Sequence, residues 1–282
     1  MTRKTCNYFF LSFGVWLFLS RPHFLFAHGP LDQQIADATK EIRQHPNDPN
    51  LYLKRGELYH FHEDWPAALA DYDTAAILNP KLAFVELYRS KTLLAAGKPL
   101  EAKVALDRFF VENPIHVDGL LTRARTLVRL GQFEAAAKDY TKVIALIDVP
   151  TPELFVERAQ SLEWAGKKFY PEAIAGLDEG VQKIGQVVTL QLFAIELELK
   201  LSRFDAALAR LEQISAQSRR QEKWLMRKGE ILEKAGRFSE AREAYSKALD
   251  AIASLPPTRR QNKAVIEMEK YIRMALQELT AK

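Results

Sequence analysis

From Leu31 onward the apolar positions recur with a helical period, and the pattern of apolar, small and polar positions repeats at a spacing of 34 residues. Aligned at that spacing, Gly56, Ser90 and Ala124 fall together, as do Ala68, Ala102 and Ala136, then Tyr72, Leu106 and Tyr140. Pro80 and Pro114 close two successive repeats. Between the halves of a repeat stand Gly97, Gly131, Gly166 and Gly236, three of them in the related phrases Ala96-Gly97-Lys98, Leu130-Gly131-Gln132 and Ala235-Gly236-Arg237. A glycine at that place ends a helix in the left-handed conformation without a steric penalty. The pattern therefore predicts antiparallel helix pairs. Gly56 or Ala124 stands where two helices cross too closely for a larger side chain, the three alanines face that crossing, and large residues fill the space beside it.

Six such pairs are predicted, at 49–82, 83–116, 117–150, 152–185, 188–221 and 222–255, the fourth lengthened by two residues around Lys168–Pro171. The fifth is the most divergent: Ile195 takes the crossing position and Ser202 the turn position, while Phe204, Ala207 and Leu211 keep its second helix on pattern. The sixth returns to form with Gly229, Leu232, Gly236, Ala241, Tyr245 and Ala248. A capping helix over 28–48 carries the stripe Leu31, Ile35, Ala38, Ile42, and another over 256–282 carries Val265, Met268, Ile272, Ala275, Leu276 after Pro256-Pro257. Fourteen helices in one uninterrupted array are expected.

The first repeat supplies Tyr52, Gly56, Tyr59, Ala68, Tyr72, Ala75 and Pro80, and on these residues the chain resembles the tetratricopeptide repeat (TPR) family over nearly all of its length after the first 27 residues. The resemblance implies an all-α fold, a right-handed α-solenoid of antiparallel helix pairs, with the first helix of each pair lining a concave face. It also implies a scaffold or adaptor that binds a protein or peptide segment there. One position through the six first helices gives Leu53, Leu87, Leu121, Val156, Leu192 and Met226, an apolar stripe; the next turn gives Glu57, Lys91, Arg125, Gln160, Glu196 and Glu230. Such a stripe bordered by charges suits an extended segment or an amphipathic helix, and it equally suits packing between neighbouring first helices. The lysine and asparagine clamp with which some family members grip a C-terminal carboxylate is absent, because only Lys91 and Arg125 are basic at the second-turn position and no asparagine joins them.

Residues 1–27 differ from the rest. Arg3 and Lys4 precede an apolar run from Tyr8 to Leu19, Ser20-Arg21-Pro22 breaks it, and Leu25-Phe26-Ala27 ends it. This is the layout of a secretory signal peptide cleaved after Ala27, since a run of about a dozen residues falls short of the roughly 20 a spanning helix needs. The expected location is periplasmic or secreted, with an uncleaved membrane anchor as the alternative. Cys6, the one cysteine, lies in that segment, so a processed chain has no thiol for a disulfide or metal site. The formal net charge of +4 also comes mostly from Arg3, Lys4 and Arg21; from residue 28 onward 37 basic residues face 36 acidic ones. Only residues 215–282 are basic, with 15 against 9. Nucleic-acid binding is not expected of so nearly neutral a chain. The basic end, including Arg219-Arg220, Arg227-Lys228 and Arg259-Arg260, could instead meet anionic lipid or an acidic partner.

No Gly-x-Ser-x-Gly, phosphate-loop or His-Glu-x-x-His motif occurs, and no enzyme or cofactor is expected. Adjacent carboxylates such as Glu63-Asp64 and Asp178-Glu179 point apart and read as solvated charge. His60 and His62, two residues apart, do not share a helical face and form at most a weak metal site. An exposed N-terminal His28 could chelate copper with its α-amine, which gives the alternative reading of a metal-binding accessory protein. Arg55, Arg89, Arg123 and Arg158 recur just before the crossing position, and Asp71 and Asp139 follow by 16 residues. These predict arginine–aspartate clasps within repeats, with Asp107 and Asp178 as less direct partners in the second and fourth.

Overall fold

The computed structural model describes residues 29–82 and 84–280; the leader and His28 fall outside the described residues. Among those described, every regular element is helical. The chain divides between Pro80 and Lys81 into two compact units. The first holds α1 (Gly29–Gln44), α2 (Pro49–Phe61) and α3 (Trp65–Leu78). The second holds five antiparallel pairs: α4 (Phe84–Ala95) with α5 (Pro99–Glu112), α6 (Val117–Arg129) with α7 (Phe133–Leu146), α8 (Pro152–Ala165) with α9 (Tyr170–Ile184), α10 (Val188–Lys200) with α11 (Phe204–Ala216), and α12 (Glu222–Lys234) with α13 (Phe238–Ala253). A short α14 (Pro257–Arg260), not foreseen from the periodicity, precedes α15 (Lys263–Thr280), which packs on α13. A 3₁₀ turn, Lys167–Phe169, absorbs the extra residues of the fourth pair.

The hairpin turn is built the same way in five of the six pairs. Gly97, Gly131 and Gly236 adopt φ of 74°, 72° and 75°, and the following amide donates back to the helix, as in Lys98 N to Leu93 O at 2.8 Å and Arg237 N to Leu232 O at 2.9 Å. Glu63 and Ser202 stand at the equivalent place with φ of 62° and 59°. Both accept a conformation that costs a side-chain-bearing residue on the order of 1 kcal/mol. Ser202→Gly is therefore expected to raise the urea midpoint, by an amount equivalent to about 0.5–1 kcal/mol. A midpoint unchanged or lowered would show that the left-handed turn is not strained.

The crossings show compensating volumes. A Cβ on Gly56 would lie 2.4 Å from Cε1 of Tyr72, and one on Gly229 would lie 2.5 Å from Cε1 of Tyr245, with both tyrosines fully buried. Where the crossing residue is larger, the residue 16 positions on is smaller: Ser90 is followed by Leu106 and Ile195 by Leu211, all buried. Ile195 at a glycine position is thus matched by leucine at a tyrosine position.

In the second unit the apolar residues of these helices form a core that runs from α6 through α10 and a second that runs from α10 to α15, with α10 contributing Leu190, Ala194 and Leu197 to one and Ile195 to the other. Two of the expected clasps form: Arg55 meets Asp71 at 2.7 Å and Arg123 meets Asp139 at 2.7 Å, each aspartate nearly buried. The other two resolve differently. Arg89 pairs with Glu86 on its own helix, and Asp107 with Lys103. Arg158 donates to the Gly176 carbonyl at 2.8 Å and to Glu179 at 2.7 Å, entering the space that the missing side chain of Gly176 leaves. Asp178 is taken instead by Arg210 of the next pair.

Candidate partner-binding face

In the second unit, a series of ion pairs joins each first helix to the next. Lys91 on α4 pairs with Asp118 on α6. Arg125 on α6 meets Glu157 on α8 through two contacts, at 3.0 and 3.3 Å. Glu163 on α8 pairs with Lys200 on α10, and Glu196 on α10 with Arg227 on α12, which also meets Glu230 at 2.7 Å. The five first helices of this unit therefore stand side by side along one face. Burial works against the charges of Arg125 and Lys200, yet their hydrogen bonds to Glu157 and Glu163 leave both groups above their ordinary values. Each rung is partly solvated and worth at most about 1 kcal/mol. The rungs fix the spacing of neighbouring helices more than they stabilise the unit.

Against this frame the apolar stripe divides. Leu121 and Val156 lie partly exposed over the first core, and Leu192 and Met226 partly exposed over the second. Leu87 does not belong to an accessible stripe: it is 2% exposed and packs with Leu106, Phe109 and Phe110 in the core between α4 and α5. The charged stripe is not a free recognition strip either, since Lys91, Arg125, Glu196 and Glu230 are engaged in the rungs and the Gln160 amide donates to Glu163 at 2.8 Å. Their partners Asp118, Glu157, Lys200 and Arg227 escaped a reading confined to one helical position per turn. The signal was there in spacing, 27 to 37 residues between partners, close to the repeat length.

A further feature of the face is Trp164 at the end of α8, directly after Glu163. It is 51% exposed, with its ring 5.5 Å from that of Phe133. In the first unit, Leu53 and Glu57 lie half-buried on α2, and Lys54 of the same helix ties to Glu41 of α1 at 3.1 Å.

His60 and His62 each meet neighbouring side chains. His62 Nε2 lies 3.0 Å from Asp32 of α1, and the His60 ring packs between Phe61 and Trp65 at 5.5 and 5.3 Å. Among the described residues no three His, Cys, Asp or Glu side chains are grouped to hold a metal ion, and no helix is long and apolar enough to cross a membrane.

A family model described as a tetratricopeptide repeat matches residues 89–148, and one described as a tetratricopeptide repeat-like domain matches residues 162–271. The chain belongs to the tetratricopeptide repeat family. A TPR-containing protein segment from Cytophaga hutchinsonii superposes with a TM-score of 0.64 at 17% identity, covering 87% of this chain and 96% of that one. A TPR protein from Parabacteroides merdae superposes with a TM-score of 0.52 at 16% identity, covering 87% and 93%. Human tetratricopeptide repeat protein 16 is 23% identical over 232 residues, 74% of this chain. The TPR chain described here spans only 27% of that human protein's length.

Proposed function

We propose that this TPR protein is a non-catalytic scaffold that holds an extended or helical segment of a partner protein on the first-helix face of its second unit, in the periplasm or outside the cell. The observation that carries the binding reading is the partly exposed row Leu121, Val156, Leu192 and Met226, running between ion pairs that neutralise one another. Because the rungs satisfy the charges internally, the face selects for apolar side chains spaced along a segment of low net charge, and burial of those side chains supplies the affinity. Trp164 stands at the margin of that row as an aromatic anchor of the kind that dominates interfaces. The export reading is supported by the leader-like composition of residues 1–27.

The test is site-specific photocrosslinking in the producing cell. A photoreactive residue at Val156 or Trp164 is expected to trap a partner, and one at the exposed Ala206 on the second-helix side is not. For a peptide selected on the purified protein, Leu121→Asp with Arg125→Glu should weaken binding at least tenfold with far-UV helicity unchanged. Equal trapping at Val156 and Ala206, or unchanged peptide affinity, would overturn the assignment of the face.

A further inference from the structure

The charge excess of the C-terminal part is redistributed by the fold. Arg227 is consumed by Glu196 and Glu230, and Lys228 by Glu212 at 2.6 Å. Arg219, Arg259, Arg260 and Lys270 carry no carboxylate partner and are exposed. Because α12 and α13 pack antiparallel, the segment that enters α12 and the segment that leaves α13 lie at the same end of that hairpin, the end that carries Arg219 on one segment and Arg259 and Arg260 on the other. From there α15 departs with Lys263 as its first residue and no acid in its first turn, an arrangement the helix dipole disfavours.

The outward face of α15 continues the pattern. Val265, Ile272, Ala275 and Leu279 are buried, which turns Ile266, Lys270 and Met274, each four residues from the last, to solvent. Ile266 is 53% and Met274 50% exposed. Unpaired cations on a loop rim, with apolar side chains interleaved along one adjoining helix face, match an anionic surface into whose apolar margin side chains can dip. A nucleic acid or a peptide that is acidic throughout would use the cations and leave Ile266 and Met274 in water.

We propose that this C-terminal edge docks on an anionic lipid surface, as a reversible peripheral contact that is separate from the first-helix face. The full chain is mixed with vesicles of phosphatidylcholine alone and with vesicles in which one third is phosphatidylglycerol, and co-sedimentation is read. Binding is expected only to the second, and the triple change Arg219→Glu, Arg259→Glu, Arg260→Glu should weaken it roughly hundredfold. All three sites are exposed, so unchanged far-UV circular dichroism verifies the fold. Ile266→Ser with Met274→Ser should weaken binding several-fold at salt concentrations that already screen the charges. Binding to both vesicles alike, or a triple variant that binds as well as the parent, overturns the proposal. Binding to polyglutamate or duplex DNA as tight as to the vesicles, with no effect of the Ile266 and Met274 changes, assigns the edge to a polyanion other than a membrane and overturns it equally. Neither outcome bears on the crosslinking result for Val156.

Discussion

Gly229→Ile is expected to unfold the α12–α13 hairpin, and adding Tyr245→Leu is expected to restore it. A single Cβ at position 229 would already lie 2.5 Å from the Tyr245 ring, which is fully buried and has nowhere to retreat. Isoleucine adds three further carbons, so the single variant should lose at least about 3 kcal/mol, the upper range for forcing volume into a packed core. The double variant reproduces the Ile195 and Leu211 combination that the α10–α11 pair already tolerates, with both residues buried. It should return to within about 1.5 kcal/mol of the parent, the range for volume-conserving exchanges. Urea denaturation followed by far-UV circular dichroism measures both. If Tyr245→Leu fails to rescue, crossing volume is not what the two positions share.

The second large effect concerns Arg210. Its guanidinium reaches Asp178 on α9 at 2.5 and 2.8 Å, Gln191 on α10 at 2.9 Å and Glu198 on α10 at 2.8 Å. The hydrogen bonds Arg210 donates to Asp178 and then to Glu198 hold its guanidinium above the ordinary arginine range against its own burial. Glu198 is only 3% exposed, and its second carboxylate oxygen has no hydrogen-bond partner. Arg210→Met would strand that buried carboxylate, and removing one partner of a buried pair costs about 3–5 kcal/mol. Removing both charges with Arg210→Met and Glu198→Leu should cost far less, because the desolvation of Glu198 disappears with its attraction. A double variant as unstable as the single one would show that Arg210 acts through Asp178 or Gln191 instead. The network also shows how the divergent fifth pair is held: one arginine ties α11 to its own α10 and to the preceding α9.

Much of this fold is legible in the chain because it is local. Each helix pair buries its own crossing, so a glycine, alanine or tyrosine at a fixed spacing carries the same meaning in every repeat, and the all-α TPR fold follows from that spacing. The left-handed turns could be read wherever glycine stands in them, and Ser202 could be placed by spacing alone. Glu63 could not, since a charged residue next to Asp64 reads equally well as solvated charge. The clasps were legible where arginine and aspartate are 16 residues apart and failed where they are not, because Arg158 and Arg89 each found a nearer acceptor.

What the sequence determined by itself is thus the helix pair: its period, its crossing, its turn and the all-α family fold that stacked pairs make. What only the tertiary structure decided is how side chains are shared between pairs. It sank Leu87 into the core, spent the charges beside the apolar row on rungs between first helices, gave Asp178 to Arg210, and left Arg219, Arg259 and Arg260 without partners. The reason lies in reach. A contact within one helix pair is set by residues close in sequence and in fixed register, whereas an arginine or lysine of flexible length at the seam between pairs chooses among several carboxylates, and the choice depends on how closely the two backbones have come.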